Sequence, residues 1–92
     1  MRITFDPPKD AANRAKHGVS LVMADELEWD TLECKPDTRE YGEPRQIGYV
    51  IGGNRLYCVV FVDRPADAPT ERRVISLRKA NSREVKHYEA ND

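Results

Sequence analysis

The sequence predicts a single α+β domain spanning residues 1–92, with a mainly antiparallel sheet covered by helices on one face and the element order β-α-α-β-β-β-α. Three observations carry this reading. Helical spacing is confined to the first 30 residues and the last dozen, two-residue alternation fills residues 46–51 and 72–78, and Gly52-Gly53-Asn54 joins consecutive strand patterns through a tight turn. Ninety-two residues suffice for one core. A domain of that size buries only about 60% of the surface its unfolded chain exposes, so a stabilising partner is expected.

Ile3 and Phe5 alternate with polar neighbours as a short strand, and Asp6-Pro7-Pro8 then opens a helix. Asp6 fits the N-cap, with its carboxylate expected on the N–H of Lys9, because prolines at the first two helical positions lack only N–H groups that the helix would not use. Ala11, Ala12 and Ala15 form a narrow apolar stripe, and Gly18 after His17 supplies the left-handed residue that ends the helix. Ser20 caps a second helix, with Val19 stapling against Ala24, an apolar face of Met23, Ala24 and Leu27, and Trp29 closing the segment. The stretch from 31 to 43 reads as polar and acidic, with room for an extra edge strand at 32–39.

Alternation then places Ile47, Tyr49 and Ile51 on one face and Gln46, Gly48 and Val50 on the other. Residues 56–62 are apolar on both faces, as in a central strand. A Pro-containing loop at 63–70 leads to a strand at 72–78, whose alternation sets Arg73, Ile75 and Leu77 against Val74, Ser76 and Arg78. Asn81 with Glu84 three residues on is a capping box, and Val85 and Tyr88 mark one side of a last helix. With the helices on one face, the opposite face of the sheet stays partly open as a platform for an extended ligand.

A net charge of −1 lacks the basic footprint of most nucleic-acid binders, yet the charge is strongly divided along the chain. Residues 25–43 hold Asp25, Glu26, Glu28, Asp30, Glu33, Asp37, Glu40 and Glu43 against Lys35 and Arg39, a balance of −6. Residues 71–87 hold Arg72, Arg73, Arg78, Lys79, Arg83 and Lys86 against Glu71 and Glu84, a balance of +4. Such a chain can meet a polyanion with one surface and a basic protein with another. Cys34 and Cys58, 24 residues apart and with only His17 and His87 to help them, lack zinc-site spacing, so neither a metal nor a cofactor is expected. Cys58 reads as a buried hydrophobe. No run is long enough to span a bilayer and the N-terminus has no secretory pattern, so a cytoplasmic location is expected.

Phe5-Asp6-Pro7 through Asn13, then Lys16-His17-Gly18-Val19-Ser20, then Ile75-Ser76-Leu77-Arg78-Lys79-Ala80-Asn81 with Arg83-Glu84 and Tyr88, resemble the BrnT family of toxins. Each motif is short, but three in order cover essentially the whole chain. The resemblance implies a RelE-like fold, ribonuclease activity that inhibits translation, and a BrnA-like ribbon-helix-helix antitoxin. Operator DNA is then met only through that antitoxin, in a complex that represses its own operon. The slight acidity and the length of the 63–70 loop depart from the family pattern.

Metal-independent cleavage of an RNA substrate needs the 2′-hydroxyl to attack the adjacent phosphorus while cations face the charge developing on the phosphoryl oxygens. Arginine suits that task because its fork bonds two oxygens and stays charged. Arg78, beside the last helix, is the first candidate, with Arg73 and Arg45 on neighbouring strands. His17 is the candidate acid or base, set against a simple role at the helix C-terminus. Tyr88 offers a stacking surface or a proton, and Lys79, Arg83, Lys16 and Ser76 complete an RNA-binding set. His87 is a weaker candidate, and Glu84 is read as a cap only. The rival reading is a non-catalytic module that binds the antitoxin and supports repression. Direct DNA binding ranks below both, since no helix carries a basic, base-reading face.

Overall fold

The apolar run at 56–62 becomes the middle of a mixed sheet in a computed structural model of the chain, which describes residues 1–39 and 42–90. Glu40 of the acidic segment lies outside the described residues. Among these residues the strands are β1 (Arg2–Thr4), β2 (Glu28–Asp37), β3 (Arg45–Gly52), β4 (Arg55–Arg64) and β5 (Glu71–Lys79), in the sheet order β1-β5-β4-β3-β2. Helix α1 (Pro7–His17), a 3₁₀ helix (Leu21–Glu26) and helix α2 (Ser82–Ala90) complete the fold. Strands β2 to β5 pair antiparallel, while β1 lies parallel to β5 at the sheet edge. Gly53, at φ +63°, opens the two-residue turn between β3 and β4, a conformation that glycine adopts without a Cβ clash.

The core forms on one face of this sheet. Val50, Val59, Phe61, Val74 and Leu77 are fully buried there against Leu21, Ala24, Leu27 and Val19. Each of the valine, leucine and phenylalanine side chains contributes about 1.5–3 kcal/mol by leaving water.

Five sequence expectations change here. The second helix is 3₁₀ rather than α: Ser20 caps it as expected, but the chain turns extended at Leu27 so that Trp29 can pack edge-on against Phe61 at 5.9 Å, its indole N–H donating to Ala24 O. Trp29 therefore belongs to β2, and the edge strand for which 32–39 had room starts earlier, as a ten-residue strand over Glu28–Asp37. As an edge strand, β2 leaves Glu28, Asp30 and Glu33 in water, while Asp37 is covered and paired with Arg39. The observed order is thus β-α-3₁₀-β-β-β-β-α.

The third change is in α1. Its alanines are exposed and Asn13 is its buried residue, while Asp6 occupies the N-cap without a side-chain hydrogen bond. The fourth is a bulge in β5. Val60 faces Ser76 and Phe61 faces Val74, leaving Ile75 as the extra residue, so Val74 and Leu77 share the core face and Arg73, Ser76 and Arg78 share the other. Strict alternation had put Leu77 with Arg73.

The fifth change places α2 opposite the other helices. Tyr49, Cys58 and Arg78 form one cross-strand row on the far face, and Glu84 of α2 bonds both Tyr49 and Arg78. The apolar sides of β3 and β4 at Ile51 and Leu56 give Val85 and Tyr88 somewhere to pack. Beyond α2 this face continues with Ile47, Val60 and Ser76 in one row and Arg45, Val62 and Arg73 in the next, all half-buried except Val62, which is buried. At the other side of β3, Gly48 admits β2 closely: a Cβ there would sit 2.5 Å from Glu33 O and 2.6 Å from Cys34 Cβ.

Candidate active site

The site begins with a handover at the sheet edge. Strand β1 covers β5 only as far as Arg73, so Leu77 would present its N–H and C=O to nothing on that side. Asn13 takes the place of the missing strand. Its Oδ1 accepts from Leu77 N at 3.1 Å, and its Nδ2 donates to Leu77 O at 2.7 Å and to Val19 O at 2.8 Å. One buried amide thus fixes α1, the bend after it and β5 in a single arrangement.

That arrangement leaves a groove of about 220 Å³ between α1 and β5, lined by Lys9, Ala12, Asn13, Lys16, His17, Ile75 and Ser76. Pro7 and Pro8 open α1 and Gly18, at φ +70°, closes it by donating to Arg14 O, so the helix end needs nothing from the imidazole. Among the described residues no side-chain hydrogen bond involves His17. Desolvation, then the charges of Lys16 and Arg78, push its pKa below the ordinary imidazole value, which favours the neutral ring at pH 7. The groove thus brings together three of the candidate residues, Lys16, His17 and Ser76, with Lys9 and Asn13 beside them.

Arg78 lies two residues beyond Ser76 on the same face of β5, roughly 7 Å along the strand. It is not a loose cation. Nη1 and Nη2 donate to Glu84 Oε1 and Oε2 at 2.9 and 2.8 Å, and Nη1 also reaches Lys79 O at 3.3 Å. Tyr49 donates its hydroxyl to Glu84 Oε2 at 2.8 Å, and the same carboxylate accepts from Asn81 N while Glu84 N donates to Asn81 Oδ1. Glu84 is thus a capping-box residue and also the counter-ion of Arg78, a second role that its reading as a cap alone left out. Bonded chiefly to Arg78, its carboxyl is held at about 2, while burial first and the bond to Glu84 second push Tyr49 up to about 12.

The remaining candidates are dispersed. Arg73 and Arg45, both half-buried, flank the buried Val62 in one row of this face, two rows or roughly 14 Å along the strands from Arg78. Lys79 is exposed at the end of β5 and Arg83 on the first turn of α2. Tyr88 is buried, its hydroxyl donating to Thr31 O at 2.6 Å, so it holds α2 against β2. His87 is exposed and lines a hollow of about 400 Å³ beside Cys34 and Tyr49, away from the groove. Among the described residues no cluster of His, Cys, Asp or Glu is arranged to hold a metal, and no helix is long and apolar enough to cross a membrane.

Lys9, Asn13 and Tyr49 were missed as parts of the site. Lys9, Asn13, Lys16 and His17 stand at i, i+4, i+7 and i+8, the spacing of one helix face, which was a usable signal. Tyr49 had no local signal, since its link to Glu84 spans 35 residues.

Comparisons with known proteins bear on this geometry. A family model described as the ribonuclease toxin BrnT of a type II toxin–antitoxin system matches residues 5–84. A search of the curated proteins found no match. Among solved structures, a 1.1 Å crystal structure of the Brucella abortus ribonuclease toxin BrnT is similar, with a TM-score of 0.67, 25% identity, and coverage of 89% of this chain and 99% of that chain. On a match that takes in α1, strands β2 to β5 and the start of α2, the chain belongs to the BrnT family of ribonuclease toxins of type II toxin–antitoxin systems.

Proposed function

We propose that the groove between α1 and β5 cleaves single-stranded RNA without a metal ion. The observation that carries this is the meeting in one groove of an unbonded, neutral-leaning His17 with Lys9, Lys16 and Ser76, within range of the charge on Arg78. His17 removes the proton from the 2′-hydroxyl, whose oxygen bonds to phosphorus. The P–O5′ bond breaks, its electron pair leaves on the 5′-oxygen, and solvent supplies that oxygen's proton, giving a 2′,3′-cyclic phosphate and a 5′-hydroxyl. Arg78 and Lys16 face the charge that builds on the phosphoryl oxygens. Lys79 and Arg83 extend the basic surface beyond Arg78, and Arg73 and Arg45 offer a second phosphate contact further along the same face of the sheet. Tyr88 is assigned a structural role, because its hydroxyl is committed to Thr31.

In the cell, assumed to be the cytoplasm, this activity inhibits translation. A BrnA-like ribbon-helix-helix antitoxin neutralises it and carries the complex to operator DNA for autorepression; the family resemblance supports this part, and with it a RelE-like kinship of the fold. The test is cleavage of single-stranded RNA in EDTA, with Arg78→Ala slower by about 10² or more through loss of one strong transition-state contact. Activity abolished by chelation, or kept in full by a folded Arg78→Ala variant, refutes the mechanism. A second reading, a non-catalytic antitoxin-binding module, is favoured by one observation: Glu84 already balances the charge of Arg78. It would replace the first if the chain, expressed without its antitoxin, neither cut RNA nor slowed growth.

A further inference from the structure

A guanidinium carries five N–H groups, and their use in Arg78 is uneven. Glu84 takes the end-on pair, one from Nη1 and one from Nη2, and Lys79 O takes the second Nη1–H. Nε–H and the outer Nη2–H are left. These two point the same way and form the side-on fork, spaced to bond two oxygens of one phosphate. The side chain is 36% exposed, so the fork is reachable, while Glu84 is 16% exposed and anchored by three further hydrogen bonds, from Tyr49, from Asn81 N and to Asn81 Oδ1.

We propose that Glu84, backed by Tyr49, is a positioning residue that fixes the Arg78 guanidinium end-on so that its side-on fork is presented, already oriented, to the phosphate being cleaved. This deepens the ribonuclease reading above and rests on it. The carboxylate opposes RNA electrostatically, since it cancels the nearest positive charge. What it gives in return is order: an arginine free to rotate must lose its rotamer freedom in each transition state, whereas one held by Glu84 does not. Held ionised at about 2, Glu84 performs this task across the working pH range. Two effects of opposite sign follow from its removal: RNA binds more tightly, and turnover slows. Loss of a merely structural residue would not separate them in that way.

Glu84→Gln is the informative variant because glutamine can still complete the capping box with Asn81, so the start of α2 is kept while the charge is lost. With a single-stranded RNA substrate, the expected result is kcat lower by about 10-fold with KM lower by about 2- to 3-fold. In an Arg78→Ala background the same substitution should leave kcat where Arg78→Ala alone puts it. Tyr49→Phe should give a weaker version of the kcat effect, about 2-fold. Unchanged or increased kcat in Glu84→Gln, or full multiplication of the two effects in the double variant, overturns the positioning role alone if Arg78→Ala is slow. A fully active Arg78→Ala, or an unsubstituted chain that does not cleave RNA, overturns both this role and the reading on which it stands.

Discussion

Replacing Asn13 by alanine should cost this domain a large share of its stability, although it removes no apolar side chain. The substitution removes three hydrogen bonds, to Val19 O, Leu77 O and Leu77 N–H, and leaves those three backbone groups without their partner. At about 1 kcal/mol net for each bond, rising toward 2 where water cannot replace it, the loss is roughly 3–5 kcal/mol. Two effects pull the other way. Alanine is the better helix former by a few tenths of a kcal/mol, and water entering from the groove satisfies part of the exposed backbone. Neither is large enough to reverse the sign. A small domain has about 5–15 kcal/mol in total, so the variant should melt at least about 12 °C lower. Urea unfolding followed by Trp29 fluorescence would measure it as a lower midpoint at constant slope. Asn13→Asp sharpens the test: it keeps the acceptor for Leu77 N–H but sets an anion against two carbonyl oxygens, and should be at least as damaging at pH 7. A loss below about 1 kcal/mol in either variant would refute the role given to Asn13.

Three other perturbations have expected outcomes. His17→Gln should lower RNA turnover by about 10² with the melting temperature nearly unchanged, and wild-type kcat/KM should rise with pH through a midpoint below 6.5, because the deprotonated ring is the active form; a variant with full turnover and a lower melting temperature would return His17 to a helix-end role. Glu84, held at about 2 against 4.5 unfolded, contributes stability that is complete above about pH 4.5 and lost as pH falls toward 2. Discounted for the exposure of Arg78, that is about 1–2 kcal/mol, visible as a steeper acid decline of the urea midpoint than in Glu84→Gln, and equal slopes would refute it. Gly48→Ala places a methyl 2.5 Å from Glu33 O, so β2 must shift; a loss of about 1–3 kcal/mol is expected in urea unfolding, and a neutral result would mean that the edge strand yields freely.

Much of the fold was legible because local chemistry and tertiary need agreed. Pro7, Pro8 and Gly18 bound α1, the Gly53 turn sets the β3–β4 register, and the doubly apolar run of β4 requires the centre of the sheet. Legibility failed where a distant contact overrode local preference. Trp29 leaves a helical pattern because its ring is wanted against Phe61, 32 residues further on. Ile75 breaks an alternation that nothing nearby forbids, and the face assignment of β5 shifts with it. In the candidate site, residue types were readable but partnerships were not. Arginine and histidine announce their chemistry in sequence, whereas the commitment of Arg78 to Glu84 depends on α2 folding back over a particular row of the sheet.

The handover from β1 to Asn13 has a consequence for the order of events during synthesis. Residues 2–4 and 13 find their partners at 71–77, so the two ends of the chain are stitched together across nearly its whole length. Closing so long a span is among the slower steps available to a small domain. On the ribosome it must also wait until β5 has emerged. A nascent chain holding everything up to the end of β4 has Lys9, Lys16 and His17 but no opposite wall, since Ile75 and Ser76 are still to come. A polypeptide cut short before residue 75 therefore contains most of the domain and none of its assembled groove, which ties any activity of that groove to synthesis of the chain through β5.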